Sequence, residues 1–62
     1  MKAEATEWQY VITDGENERV KASGFIYDTA AAALGDGRKY VERNRPKNQT
    51  WQVATSYQTQ KD

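Results

Sequence analysis

The sequence predicts a single α+β domain, ββαβ in element order, with a three-stranded antiparallel sheet in the order 2-1-3 and one helix on one face. Three observations predict it. Period-two alternation runs through "WQYVIT" and returns in "WQVATSY". A helical stripe lies between Asp28 and Pro46. A turn signal, Asp14-Gly15, separates the first alternating run from "RVKASGFIY".

In the first strand Trp8, Tyr10 and Ile12 share one face, and Gln9, Val11 and Thr13 share the other. Glycine at 15 suits a tight turn, since it accepts positive φ without a Cβ clash. The returning strand is expected to turn Val20 and Ala22 one way and Lys21 and Ser23 the other. Gly24 interrupts it, and Phe25, Ile26 and Tyr27 follow as an apolar run, which fits a bulge or bend at the sheet edge.

Asp28 or Thr29 caps the helix, because either side chain can accept from the free amides of the first turn. Ala30, Ala33, Leu34, Gly37 and Val41 form the inward stripe; Ala32, Asp36, Lys39 and Arg43 lie opposite. Gly35 and Gly37 each weaken the helix by about 1 kcal/mol relative to Ala, so it either runs through them or breaks at Gly35. Pro46 disfavours helical geometry at Arg45 and ends the helix near Asn44. A third strand over 50–58 carries Trp51, Val53, Thr55 and Tyr57 on one face.

A right-handed crossover makes strands 2 and 3 run the same way, so the apolar first strand between them leaves every neighbouring pair antiparallel. Trp8-Gln9 and Trp51-Gln52 then acquire a common reason. Each strand brings one indole to the same sheet face, one near each end of a helix lined with small residues. The domain is expected over residues 7–58, with a flexible arm at 1–6 and a flexible tail at 59–62.

The chain of 62 residues is near the lower limit for folding alone, and only 37% of it is hydrophobic. It has neither Cys nor His, which removes thiolate sites, the commonest metal ligand and the commonest general base. Ser23 and Ser56 have no histidine to activate them. Asp14, Glu16 and Glu18 alternate as hard-cation ligands can, but the calcium-loop pattern fails beyond them, and they read as a solvated turn. The "GDG" at 35–37 lacks the Gly-Lys-Ser/Thr of a phosphate loop. No catalytic, cofactor-binding or metal-ligating set is expected. No stretch is long and apolar enough for a membrane span, and the start lacks the apolar core of a secretory signal, so a cytoplasmic protein without membrane contact is expected.

Net charge is zero, but residues 1–36 hold three cations against seven carboxylates and residues 37–62 hold six against two. One basic cluster results: Arg38, Lys39, Arg43, Arg45 and Lys47, around Tyr40. It suits phosphate contacts, or simply the negative end of the helix dipole. Seven aromatics are more than one helix can cover, so Phe25, Tyr27 and Tyr40 are expected in part at the surface.

Two functions follow. The first is a non-enzymatic protein-interaction module, an inhibitor or adaptor of the type that phages and other mobile elements encode. It would bind another protein or a second copy of itself through the open sheet face or an edge strand, at Gln9, Val11, Lys21, Gln52, Phe25 and Tyr27. The second is a nucleic-acid binder using Arg38, Lys39, Tyr40, Arg43, Arg45 and Lys47. The neutral total and acidic first half weigh against the second.

Overall fold

A computed structural model describes residues 5–60. The elements are β1 (Ala5–Thr13), β2 (Arg19–Ala22), α1 (Ala30–Asn44) and β3 (Gln52–Gln60). The sheet order is β2-β1-β3 and both pairings are antiparallel, so the ββαβ architecture with β1 central is the observed one. The long strands extend past the expected domain limits: Ala5 pairs with Gln60 and Thr6 with Thr59. The rest of the expected arm and tail, 1–4 and 61–62, lies outside the described residues.

Thr29, in extended conformation, caps α1, and its hydroxyl accepts from the Ala32 amide at 3.1 Å. The helix runs without a break through Gly35 and Gly37 to Asn44, and Arg45 leaves it with ψ 127° ahead of Pro46. Its inward stripe is the expected one. Ala33 and Gly37 are buried, Ala30, Leu34 and Val41 half-buried, and Ala32, Asp36, Lys39 and Arg43 exposed.

The two glycines differ in role. A Cβ on Gly37 would lie 2.6 Å from Val53 Cγ1 and 3.0 Å from Tyr10 Cβ, so the helix backbone rests directly on the sheet there. A Cβ on Gly35 would meet nothing within 4 Å. Gly35→Ala should therefore stabilise the domain by about 1 kcal/mol, through helix propensity and a less flexible unfolded chain. An unchanged or lowered denaturant midpoint would refute this.

The fully enclosed core is small: Tyr10, Ile12 and Ala33, with Trp8, Tyr27, Tyr40, Val41, Trp51 and Val53 packed around it. The two indoles take opposite ends of the helix face, as expected. Trp8 lies against Tyr57 at 5.1 Å between ring centroids, and Trp51 stacks on Tyr40 at 6.4 Å and 17°. Both are half-buried.

The hairpin departs from expectation in two ways. Positive φ falls on Asn17 (63°), not on Gly15. The Asp14 carboxylate holds the turn, accepting from the Glu16 amide at 2.8 Å and the Glu18 amide at 3.0 Å, while the Asn17 amide donates to the Asp14 carbonyl. This is a type I turn followed by a left-handed residue. The register then slips. Thr13 pairs with Arg19 but Ile12 with Lys21, so Val20 is the extra residue. One inserted residue turns the rest of a strand over. Lys21 and Ser23 thus lie on the helix face, and Ala22 lies on the open face; the sequence-based facing of this strand is reversed.

Candidate functional site

The face of the sheet away from α1 is built in rows across the strands. Paired residues share a face, so Val11 lines up with Ala22 on one side and Ala54 on the other. This small apolar row is flanked by Gln9 with Ser56 and by Thr13 with Gln52. Two side-chain hydrogen bonds join β1 and β3 on this face. Gln9 Nε2 donates to Ser56 Oγ at 2.9 Å, and Gln58 Nε2 donates to Glu7 Oε1 at 3.1 Å. Of the residues expected at a partner surface, the structure brings together Gln9, Val11 and Gln52 on this face.

Lys21 and Tyr27 do not belong to it. Lys21, turned over by the extra residue at Val20, holds its ammonium 5.1 Å from the centroid of the Tyr40 ring. Tyr27 is drawn to the helix side. Its backbone exchanges two hydrogen bonds with Trp8, at 2.8 and 3.1 Å, and its ring lies 6.1 Å from that of Tyr10. Its hydroxyl donates to Asp36 Oδ2 on α1 at 2.8 Å. Tyr27 thereby ties the segment before the helix to the second turn of the helix. Phe25 is half-buried and its neighbour Ile26 is 72% exposed, beside Gly24 at φ 82°. Tyr57, on the same strand face as Val53 and Thr55 and beside Trp8, is 62% exposed.

The hydrogen bond to Asp36, followed by burial and the Asp36 charge, pushes the Tyr27 hydroxyl up to about 12. The proton is held more tightly in the folded state than in the unfolded one. Its contribution to stability is full below pH about 10 and is lost as pH rises through about 12. Melting followed from pH 8 to pH 12 should fall more steeply at the alkaline end in the wild type than in Tyr27→Phe. The late phase of phenolate absorbance should be absent from that variant. Superimposable alkaline profiles would remove the contact from the fold.

At the other end of α1, Arg38, Lys39, Arg43, Arg45 and Lys47 are all exposed. Arg45 is engaged with its own loop, donating to the carbonyls of Pro46 at 3.3 Å and Gln49 at 2.6 Å. Tyr40 is half-buried and its ring has two close neighbours within the fold. Trp51 approaches it from the β3 side and Lys21 from the β2 side. A base stacking on this ring would compete with these neighbours.

The turn between β1 and β2 lines an open cleft of about 360 Å³ with Asn48, Gln49 and Thr50. Its acidic side chains do not converge. Asp14 is committed to backbone amides, and no three carboxylates gather at one point among the described residues.

Fold and surface define a small ββαβ protein with one helix-covered sheet face and, among the described residues, one uncovered face. In comparison with known proteins the chain matches no protein family, no curated protein and no solved structure. No helix among the described residues is long and apolar enough to cross a membrane.

Proposed function

We propose that the chain is a non-enzymatic protein-interaction module of inhibitor or adaptor type, acting in the cytoplasm and docking through the bare side of its sheet. The observation that supports this most is the Ala22–Val11–Ala54 row. It is a short apolar strip across all three strands toward the hairpin end of the sheet, with Gln9 and Gln52 in the neighbouring rows. Burying it removes apolar area from water. The Gln9 amide beside the row already donates across the strands to Ser56, so docking there does not leave that group unpaired.

Affinity capture from the native host, run with and without nuclease, tests the reading. Val11→Glu should abolish capture while the circular dichroism spectrum is retained. Lys39→Glu and Arg43→Glu together should leave capture intact. Nuclease-sensitive capture, lost in the helix variant and steeply weakened by salt, would transfer the function to the basic cluster and a nucleic acid.

A further inference from the structure

The sheet has two edges, and they are protected very differently. β2 is four residues long, carries Arg19 and Lys21, and gives way to the bend at Gly24. β3 is nine residues long, Gln52–Gln60, with no charge, no proline and no glycine in "QVATSYQTQ". Long uncharged edges are what natural sheets avoid unless something pairs with them.

The hydrogen-bond pattern shows which backbone groups of β3 are free. Trp8 exchanges bonds with Tyr27, and the Tyr10 carbonyl accepts from Ser23, so the even-numbered residues of β1 turn their polar groups toward β2. The odd-numbered residues therefore turn toward β3, where Glu7, Gln9, Val11 and Thr13 meet Gln58, Ser56, Ala54 and Gln52. This leaves the amides and carbonyls of Val53, Thr55, Tyr57 and Thr59 pointing outward, without a neighbouring strand among the described residues.

We propose that this edge pairs with the same edge of a second copy, antiparallel, about a two-fold axis at Ser56. The inference rests on the interaction-module reading and names the partner. The outward residues are symmetric about Ser56. Val53 meets Thr59 and Thr55 meets Tyr57 in both directions, each as a hydrogen-bonded pair, so about eight backbone hydrogen bonds form and no outward group of the four is left over. A two-fold axis at Thr55 or Tyr57 would leave some of them unpaired.

The side chains agree with this register. No charge stands opposite a like charge, since β3 carries none, and two copies of net charge zero do not repel at long range. On the open face Ser56 meets Ser56 and Ala54 meets Gln58. On the helix face the two Tyr57 rings, each 62% exposed in one copy, become diagonal neighbours within about 8 Å and cover one another. The product is one six-stranded sheet with both helices on the same side and the apolar row of each copy on the other, so a protein partner would meet two docking surfaces.

The chain has no cysteine, so single cysteines report the register directly. Ser56 and its mate form a non-hydrogen-bonded pair, with Cα atoms about 4.5 Å apart, within disulfide range. Under mild oxidation Ser56→Cys should give a covalent dimer. Ala54→Cys and Gln58→Cys should not do so alone but should cross-link when mixed. Sedimentation across micromolar to millimolar concentrations should show a reversible doubling of mass. Thr55→Pro should abolish it with the circular dichroism spectrum retained, because that amide serves no bond within one copy.

A monomer at every concentration, with no Ser56→Cys cross-link, overturns the proposal. So does a dimer that survives Thr55→Pro but is broken by Val11→Glu; the interaction-module reading then stands and the interface is the sheet face. Loss of a captured host protein by Thr55→Pro in a monomeric chain also overturns it, by giving the edge to a foreign strand.

Discussion

Ile12→Ala is expected to leave the domain largely unfolded at room temperature. Ile12 is the largest fully enclosed side chain, with 0% of its surface exposed. It sits on the central strand, paired with Val53 on one side and Lys21 on the other. Truncating a buried Ile to Ala costs about 2–5 kcal/mol. A single core in a chain this short supplies about 3–5 kcal/mol in total, so the loss is comparable to the whole. Among the described residues the enclosed core between α1 and the sheet is Tyr10, Ile12 and Ala33, and it has little slack to refill the void. Urea unfolding followed by tryptophan fluorescence gives the result. A midpoint close to wild type would mean that the peripheral aromatics, not this contact, hold the sheet to the helix.

Gly37→Val should be nearly as damaging, for the opposite reason. Its Cβ alone would stand 2.6 Å from Val53 Cγ1 and 3.0 Å from the Tyr10 Cβ and Cγ. The valine end can rotate away, but the Tyr10 Cβ is fixed to the central strand. The helix must lift, and overpacking of this kind costs about 1–3 kcal/mol, with β-branching adding to it. Lifting α1 also separates the hydroxyl of Tyr27 from Asp36, the residue just before Gly37. Gly37→Ala should be milder, because about 1 kcal/mol of helix propensity offsets part of the clash. The contrast with Gly35→Ala is the sharper test. The two substitutions are two residues apart and identical in propensity, so opposite signs in thermal melting isolate the approach of helix to sheet. Equal effects would show that packing at Gly37 is loose.

The make-up of the uncovered sheet face was only partly legible. Gln9, Val11 and Gln52 were placed on the bare face by simple alternation, because β1 and β3 pair without interruption over nine residues. Lys21 was misplaced because nothing in "RVKA" marks which residue will be extra. Tyr27 was misplaced because its partner, Asp36, lies on another element and is polar. Periodicity reports apolar faces and carries no signal for a hydroxyl that will donate to a carboxylate across the fold.

The sequence by itself determined the elements, their order and the central place of β1. Alternation with period two, the capping Thr29, the small stripe of α1 and the stop at Pro46 are local properties, and the right-handed crossover leaves one sensible sheet. It also showed a helix stripe of small residues that matches a sheet face of large rings. Only the tertiary structure decided which glycine rests on the sheet, Gly37 rather than Gly35, because that depends on where α1 crosses Tyr10 and Val53. It alone decided the facing of β2. That facing follows from one unpaired residue, Val20, and from a turn closed by the Asp14 carboxylate with positive φ at Asn17. A shift of one residue inverts a strand while leaving its composition unchanged, so the choice is made by pairing with β1 and not by the pattern within β2.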